Sequence, residues 1–498
     1  MTSTSSKTEP ASTNRDVARH WIDGAWVDSG EHRDSVNPAT GEVFATYAMG
    51  GTTEAEQAID AAKRAFAAPG WRSDRALRAR VLNRMADRFE DYADELVDIL
   101  ALENGKTKPQ ARFEVQVAPE TLRFNAALAL AEAGRASQVT DGELGLVLRQ
   151  PAGVAGIIAP WNSPIALAIR SLAPALGAGT TTVTSLPRQT AQTNSLFAQV
   201  LGQTNELPPG VVNVVTGGFA TGDVLVRSPD VPVISFTGST KTGRAISETA
   251  AANLKRVGLE LGGKTPLIVF DDADLDVAMP IVVAALTVFG GQFCMTGSRL
   301  LVQDTIAEKV RADLKGRLDA VRVGPAADPA SEMGPIIDKA NVDRIDQIVE
   351  DAIAQGAEVM VRGGPIVDGP LAAGAFYRPT LLEVKDGSMP IVQQEVFGPV
   401  LTMQTFSSEA EAIAMANDSE YGLSASVFSR DIDRPLRVAL GLEAGSIWVN
   451  DWAKLHDQFE EGGFKSSGVG RMRGLAVLDD FLEYKFIRLG PGTTPAAG

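Results

Sequence analysis

The chain has one cysteine and three histidines in 498 residues. A single cysteine excludes an intramolecular disulfide and is typical of a protein from a reducing compartment. No group of cysteines and histidines has the spacing of a metal site, so we expect no bound metal. His20, His32 and His456 fall in no motif, which argues against a hydrolase that pairs a cysteine with a histidine.

Basic residues and long apolar segments are also scarce. Lys and Arg total 46 against 62 Asp and Glu, a net charge of −16, and no basic run interrupts this balance. We therefore expect no nucleic-acid partner. No apolar run reaches the roughly 18 residues that span a bilayer, and no apolar leader follows Met1. The sequence predicts a cytoplasmic protein without a membrane partner.

The length and an apolar content of 44% predict a globular protein of more than one domain. Residues 1–16 are rich in Ser, Thr and Pro and are predicted to be a disordered tail. From residue 153 onward, short apolar strands alternate with helical patterns. This rhythm predicts an α/β fold whose Rossmann-like dinucleotide-binding domain combines residues 17–136 and 155–260.

A second α/β unit follows the first. Further apolar strands and helices predict a catalytic domain at residues 261–450, and residues 451–478 are predicted to return and close the active site. Residues 137–149 and 481–487 alternate between apolar and polar side chains, and the segments that contain them are placed at residues 137–154 and 479–489. They are predicted to be strands of a small β arm that needs covering, because exposed strand edges associate.

Cys294 lies in the segment FGGQFCMTGSR at residues 289–299, and the other candidate site segments are interpreted relative to it. An apolar run at residues 281–286 predicts a buried helix. Gly290 and Gly291 would end this helix and allow close approach of the backbone. An isolated cysteine is more often a small buried apolar residue, but a lone thiol in such a turn is also a candidate nucleophile.

Two other stretches supply groups that acyl chemistry requires. Glu260, in LELGGK at residues 259–264, has apolar neighbours that would raise its pKa and suit a general base. Asn162, in APWNSP at residues 159–164, would donate its amide N–H to an oxyanion, a contribution of about 3 to 4 kcal/mol. The alternatives are a glutamate in a loop salt bridge and an asparagine in a turn.

These three stretches resemble the active-site signatures of the aldehyde dehydrogenase superfamily, and the resemblance runs from about Trp21 to about Leu489. Four further motifs fall in the family's order: NPATG at residues 37–41, FTGS at 236–239, EVFGP at 395–399 and GGFKSSG at 462–468. Each motif alone is weak, but their ordered occurrence indicates an NAD(P)-dependent, non-acylating member.

The resemblance implies where NAD(P)+ binds. Gly238, Ser239 and Gly243 match the family's variant of the pyrophosphate-binding turn, in which a helix N-terminus meets the anion. Glu395 and Phe397 match residues that hold the nicotinamide ribose and ring. Further cofactor contacts are implied before Asn162 and after Glu260, at Ile158, Ala159, Pro160, Trp161 and Leu261.

The resemblance also implies that the β arm forms oligomers. We expect a homodimer or homotetramer in which a partner covers the arm strands; the alternative is a hairpin paired within one chain.

The sequence departs from the family pattern at the adenosine end. Where relatives usually have Lys-Pro-Ser-Glu, this chain has Ser185-Leu186-Pro187-Arg188. A glutamate there would repel a 2′-phosphate, whereas the planar fork of Arg188 suits one. Ser185 and Arg188 therefore favour NADP+; the alternative is that Arg188 points to solvent.

Two other departures lie nearer the cysteine. Many relatives have Trp-Lys where this chain has Arg170-Ser171, and an Arg at this position resembles the aromatic-aldehyde and succinic semialdehyde dehydrogenases. It would face either the substrate or a core carboxylate. Met472 stands where relatives often have Glu, so if that Glu relays protons to the cysteine loop, this enzyme does without the relay or uses another group.

We therefore predict oxidation of an aldehyde to a carboxylic acid through a Cys294 thiohemiacetal and thioester, with Glu260 activating the hydrolytic water. The predicted substrate is a hydrophobic or aromatic aldehyde, with a carboxylate-bearing semialdehyde as the alternative. The predicted pocket residues are Leu167, Arg170, Phe293, Met295 and Phe459.

Two other functions compete with this one. A CoA-acylating dehydrogenase is disfavoured because thiolysis needs no water-activating base such as Glu260. A catalytically silent binding or structural protein is disfavoured by the complete set of Cys294, Glu260 and Asn162, although fold alone cannot exclude it.

Overall fold

Two large β-sheets form the framework that positions the candidate site residues. The computed structural model describes residues 17–490, so the predicted disordered tail lies outside the described residues. Within this range, no helix is long and apolar enough to cross a membrane.

The strands, numbered along the chain, are β1 (Val17–Ala18), β2 (His20–Ile22), β3 (Ala25–Val27), β4 (His32–Val36), β5 (Val43–Ala48), β6 (Arg135–Thr140), β7 (Glu143–Pro151), β8 (Val154–Ile158), β9 (Thr181–Pro187), β10 (Val212–Gly217), β11 (Val233–Thr237), β12 (Arg256–Glu260), β13 (Thr265–Val269), β14 (Gly297–Gln303), β15 (Glu358–Val361), β16 (Gly364–Pro365), β17 (Tyr377–Arg378), β18 (Thr380–Glu383), β19 (Val400–Phe406), β20 (Tyr421–Gly422), β21 (Ser424–Phe428), β22 (Ser446–Val449), β23 (Phe464–Lys465), β24 (Gly468–Val469) and β25 (Leu482–Leu489).

The α-helices are α1 (Thr52–Ala67), α2 (Arg75–Asp91), α3 (Ala93–Asn104), α4 (Lys108–Ala131), α5 (Pro164–Ala178), α6 (Ala191–Gly202), α7 (Phe219–Arg227), α8 (Thr240–Ala251), α9 (Leu275–Thr287), α10 (Ala307–Asp319), α11 (Lys339–Ala354), α12 (Pro390–Gln393), α13 (Glu409–Asn417) and α14 (Arg434–Gly441).

The first sheet has the spatial order β24-β12-β11-β8-β9-β10-β2-β3. Its central strands, from β12 to β10, are parallel, and both edges are antiparallel. Successive residues of β8 enter different apolar clusters, since Val154 packs on one face and Ala155 on the other. The strand order reverses between β8 and β11, so a crevice opens at their carboxyl ends, where doubly wound sheets bind ligands.

The second sheet has the order β15-β18-β19-β14-β13-β21-β22, and all its neighbouring strands except β15 and β18 are parallel. The sequence pattern predicted strands near β13, β14, β15 and β22 but not β18, β19 or β21. The chain crosses from the first sheet to the second between Glu260 and Thr265. The end of β12 therefore faces the loop that precedes β14.

The arm is a three-stranded antiparallel sheet of order β25-β7-β6. Residues 137–149 were predicted as a single strand, but the chain turns between β6 and β7 at Gly142, whose φ of 78° favours glycine. β25 pairs with β7 within the chain, as in the local alternative. The arm boundary at residue 154 is also wrong, because Val154 begins β8 of the first sheet.

Candidate active site

Cys294 lies in a sharply turned loop between α9 and β14. Phe289, Gly290 and Gly291 all have positive φ, from 52° to 72°, so three consecutive residues adopt the left-handed conformation. A Cβ at Gly291 would clash with the backbone of Gly398, which shows how closely the loop approaches the chain after Glu395. The turn leaves the Cys294 side chain half-buried and without a disulfide partner.

Hydrogen bonds from outside the loop hold this turn in place. The Gln292 side chain donates to the carbonyl of Phe289 at 2.8 Å and accepts from the N–H of Ile337 at 2.9 Å. The indole of Trp452 donates to the carbonyl of Met295 at 2.9 Å. Within residues 17–490, the backbone N–H of Cys294 has no acceptor, which leaves it free to bind an oxyanion.

Asn162 reaches the same loop from the first sheet. It is buried in the turn between β8 and α5, and its Nδ2 donates to the carbonyl of Gln292 at 3.0 Å. An amide nitrogen carries two hydrogens, so one remains for a second acceptor. Asn162, the predicted oxyanion donor, therefore lies beside the loop that carries Cys294.

Glu260 ends β12 and is only 4% exposed. Burial raises the pKa of its carboxyl group to about 8; the charge of Arg170 opposes this rise and that of Glu461 adds to it. Among the described groups, none donates a hydrogen bond to its Oε1. Glu260 is therefore a carboxyl group that ionises near neutral pH and has an oxygen available for water.

The paired glycines after Glu260 let the two sheets meet. A Cβ at Gly263 would lie 2.5 Å from the carbonyl oxygen of Cys294, and one at Gly262 would lie 2.5 Å from Oε2 of Glu395. Neither distance is compatible with a side chain. The glycines thus bring the cysteine loop, the Glu260 strand and the Glu395 segment together.

The thiol of Cys294 is not activated by its surroundings in the cofactor-free protein. Burial raises its pKa to about 12; Arg170 opposes this rise, while Glu395, Glu461 and Glu260 add to it. Three carboxyl groups therefore share the site with one guanidinium group, and the neutral thiol is favoured.

A cavity of about 560 Å³ opens at Cys294 on the side of α4 and α5, and we call it the substrate-side cavity. The predicted residues Leu167, Phe293 and Met295 line it. The rest of its lining includes the aromatic or acidic residues Phe113, Glu114, Glu120, Phe124, Phe289, Trp452, His456, Asp457 and Glu461, together with the basic residues Lys454 and Arg473 and several aliphatic and neutral polar residues. Phe459 departs from the prediction, because its side chain is 70% exposed and lies outside the lining.

Arg170 borders this cavity but is paired with a core carboxylate, as in the alternative to substrate binding. It is buried, forms an ion pair with Glu461, and donates from its second terminal nitrogen to Oγ1 of Thr237 at 3.0 Å. It lies on the second turn of α5, and the alternative of a core carboxylate partner was foreseen from the sequence. The identity of that partner was not foreseen, because Glu461 belongs to a segment without periodicity.

Sequence reasoning also missed a buried ion pair between Lys106 and Glu114. Oε1 of Glu114 accepts the N–H of Ile165 at 2.9 Å, so this carboxylate caps the N-terminus of α5. The Lys106 ammonium lies 3.8 Å from the ring centroid of Phe289 and thereby supports the cysteine loop. A lysine and a glutamate eight residues apart across the start of α4 gave no motif to recognise.

Met472 occupies the position at which relatives often have Glu, and its side chain is buried in an apolar cluster. Its backbone pairs with that of Glu461 through two hydrogen bonds of 2.8 Å. The carboxylate near Arg170 therefore comes from Glu461, which lies opposite Met472 in this backbone pairing.

A second cavity lies at the carboxyl ends of β8, β9 and β10, and we call it the cofactor-side cavity. Its lining consists of Met49, Ile158, Ala159, Ser185, Leu186, Pro187, Arg188, Gln189, Gly217, Gly218 and Phe219. Arg188 is exposed, whereas the Ser185 hydroxyl is buried and bonded to Thr221 at 2.9 Å. No acidic residue occurs in this described lining.

The predicted pyrophosphate turn is a helix N-terminus. Oγ of Ser239 accepts the N–H of Thr242 at 3.2 Å and caps α8, with Gly238 before it. A Cβ at Gly243 would lie 2.5 Å from Leu261, so this glycine allows α8 to pack against the end of the first sheet. A capped helix N-terminus beside a switch-point crevice fits a dinucleotide.

Glu395 and Phe397 lie where the two sheets meet. The Glu395 carboxylate accepts the N–H of Gly263 at 3.3 Å, and burial raises its pKa to about 7. Phe397 has a φ of 55° and packs edge to face on Trp161, next to Pro160, with 5.6 Å between ring centroids. These groups are close to Cys294, as a nicotinamide site requires. In residues 17–490, no cluster of acidic, His or Cys side chains could hold a metal.

Comparisons with known proteins agree with this geometry. Residues 26–487 match the family model described as "Aldehyde dehydrogenase family". Betaine aldehyde dehydrogenase of Bacillus subtilis is 38% identical over 483 residues, which cover 96% of this chain and 98% of the relative. The 2-aminomuconic semialdehyde dehydrogenase of Mus musculus is 37% identical over 483 residues, which cover 95% of this chain and 98% of the relative.

A solved structure gives the same result. The crystal structure of betaine aldehyde dehydrogenase from Staphylococcus aureus in complex with NAD+ is 35% identical, has a TM-score of 0.93 and covers 96% of each chain. The predicted α/β fold and the predicted class, an NAD(P)-dependent enzyme that oxidises aldehydes, are thereby confirmed. The chain belongs to the aldehyde dehydrogenase family.

Proposed function

We propose that this enzyme oxidises its aldehyde through a covalent intermediate on Cys294. The thiolate attacks the carbonyl carbon, and the resulting oxyanion accepts hydrogen bonds from Nδ2 of Asn162 and the N–H of Cys294. Hydride loss converts the thiohemiacetal into a thioester. Glu260 then removes a proton from water, which attacks the thioester, releases the acid and restores the thiol. The observation that supports this proposal most directly is that Asn162 and Glu260, at the ends of two strands of the first sheet, both approach the loop that carries Cys294.

NAD(P)+ would be held by the N-terminus of α8 with Ser239, by Glu395 and Phe397, and by the crevice of Ile158 and Ala159. When bound, its nicotinamide accepts the hydride. The protein itself would exclude water and orient the substrate carbon against the nicotinamide ring.

The replacement Cys294→Ala tests this proposal. We expect aldehyde-dependent cofactor reduction to fall by about 10³-fold or more, because no other thiol is present. Cofactor binding should persist, since it depends on other residues. Undiminished reduction would refute the proposal. Strict dependence on CoA would favour the acylating alternative, and failure of the unmodified protein to bind a nicotinamide cofactor would favour a silent homologue.

We propose that the substrate carries no carboxylate and that a cationic substituent suits the cavity best, with a neutral aromatic aldehyde second. Arg170 and Arg473 are both paired with buried Glu461, and Lys454 is paired with Asp451 at 2.8 Å. Glu120 is exposed in the lining and has no partner among the described residues. The edge-to-face rings of Phe293 and Trp452, with centroids 5.8 Å apart, suit an apolar or quaternary ammonium group.

The relatives divide between these chemistries, since one is named for betaine aldehyde, a cation, and another for 2-aminomuconic semialdehyde, an anion. A panel of betaine aldehyde, benzaldehyde and succinic semialdehyde separates the three classes. We expect kcat/KM to fall in that order, and the highest value for succinic semialdehyde would overturn the substrate proposal.

We further propose a preference for NADP+, a homo-oligomer and a cytoplasmic location. Arg188 is exposed at a cavity whose described lining lacks carboxylates. The arm exposes apolar side chains, including Val139, Tyr484 and Phe486, which a second copy would bury. Light scattering measures the oligomer, and a monomeric mass would contradict it. The single cysteine supports a reducing compartment.

A further inference from the structure

A line of alternating charges runs from the wall of the substrate-side cavity to the reacting groups. It begins at Asp457, which accepts the hydroxyl of Thr121 at 3.1 Å and forms an ion pair with Arg473. Nε of Arg473 lies 3.2 Å from Oε2 of Glu461, whose other oxygen binds Arg170. Two carboxylates and two guanidinium groups therefore alternate along this line.

Glu461 is fixed from both sides. Its side chain is buried between Arg170 and Arg473, and its backbone is bonded in both directions to Met472. Although burial opposes ionisation, these two guanidinium groups hold the pKa of Glu461 below its usual range. A carboxylate fixed in this way stays charged throughout the neutral range.

The inner end of the line acts on two groups that both work in their deprotonated forms. Arg170 lowers the pKa of both Cys294 and Glu260, and Glu461 raises both. The next residue, Gly462, adjoins Glu260, because a Cβ there would lie 3.2 Å from Oε1 of the base. Glu461 is thus close enough to influence the base and yet contacts neither the sulfur nor that oxygen directly.

We infer that Glu461 is a positioning residue that holds Arg170 and offsets its charge beside Cys294 and Glu260. This inference rests on the proposed function, in which Cys294 is the nucleophile and Glu260 is the base. The guanidinium of Arg170 is held between Glu461 and Thr237 and therefore cannot turn toward the substrate.

Alkylation of Cys294 by iodoacetamide tests the inference without aldehyde or cofactor. The reagent is neutral and the chain has a single thiol, so the rate between about pH 7 and 9 reports the thiolate fraction, which changes tenfold per pKa unit. The charged groups that face this sulfur are Arg170, Glu395, Glu461 and Glu260. Arg471 and Asp480 additionally face Glu260.

We expect Glu461→Gln to accelerate alkylation about tenfold and Arg170→Gln to slow it about tenfold, a shift of roughly one pKa unit in each direction. The double variant should return to within about threefold of the unmodified enzyme. Glu460→Gln is the matched control, because Glu460 is exposed and binds only the backbone at Leu475 and Ala476. It should leave the rate unchanged.

A purely structural role predicts a different pattern. Loosening of the loop would accelerate alkylation in both single variants, and this result, or an unchanged rate in both, would overturn the inference. Should Glu461→Gln fail to fold, the comparison of Arg170→Lys with Arg170→Gln replaces it; only the second should slow the reaction. Because catalysis is not measured, these outcomes are independent of the Cys294→Ala result.

Discussion

The substrate-side and cofactor-side cavities treat charge in opposite ways. In the substrate-side cavity, Arg170 and Arg473 are neutralised inside the wall by Glu461 and Asp457. In the cofactor-side cavity, Arg188 is exposed without a partner among the described residues, and the strand ends and the N-terminus of α8 supply N–H groups. Paired charges shape a site without selecting an ion, whereas an unpaired cation selects an anion.

The largest effect should come from Glu260, next to the place where the two sheets meet. Replacement by Gln removes the base, and we expect turnover to fall by about 10²- to 10⁴-fold. A base must be ionised to accept a proton, and burial raises the pKa of Glu260 to about 8. The hydrolytic rate of the unmodified enzyme should therefore rise with pH and level off above about 8. Glu260→Gln should lose this rise, and its retention would assign the base elsewhere.

The replacement Gly263→Ala should disturb the place where the two sheets meet. The added Cβ would lie 2.5 Å from the carbonyl oxygen of Cys294, so we expect a loss of about 1–3 kcal/mol in the free energy of unfolding and at least tenfold lower activity. Gly316→Ala is the control, because that helical glycine has no atom within 4 Å of an added Cβ. Denaturant unfolding measures both. Equal stability of the two variants would show that the sheets do not meet so closely.

Arg188→Ala should sharpen the contrast on the cofactor side. Loss of a charge-assisted bond to a 2′-phosphate should weaken NADP+ binding about tenfold and leave NAD+ nearly unchanged. Gln189→Ala in the same lining is the neutral control. Binding can be followed by the change in tryptophan fluorescence. Parallel losses for both dinucleotides would mean that Arg188 does not contact the phosphate.

Glu120→Gln should give the smallest effect. This carboxylate is exposed, so its attraction for a cation is screened, and we expect a two- to fivefold loss of kcat/KM for betaine aldehyde. Benzaldehyde should be unaffected and serves as the internal control. Equal changes for both aldehydes would remove Glu120 from substrate recognition.

The sequence alone predicted the parts of the molecule whose signals are local. Apolar runs identified the strands β8, β13 and β14, and glycine pairs identified the turns beside Cys294 and Glu260. The strands β18, β19 and β21 were missed because their apolar runs are short and lie between polar turns. The arm was misread because the turn at Gly142 interrupts an otherwise regular alternation.

Long-range partners could not be predicted. Arg170 and Glu461 are separated by almost 300 positions, and nothing local in either segment indicates an ion pair. Lys106 and Glu114 likewise acquire their role only when α5 starts beside them. The pocket position of Phe459 was inferred from proximity in the chain, but a turn through residues 456–459 directs this ring to solvent.

The central claim is that the acyl group is carried by Cys294 and released by Glu260. The Glu260→Gln variant is mixed with cofactor and an aldehyde that the unmodified enzyme oxidises, and the reaction is quenched in acid. The variant should accumulate a thioester on the peptide that contains Cys294, together with one equivalent of reduced cofactor. Mass spectrometry of that peptide measures the adduct directly. An acyl mass on Cys294 is the predicted result; cofactor reduction with no adduct there, or with an adduct on another residue, would contradict the account.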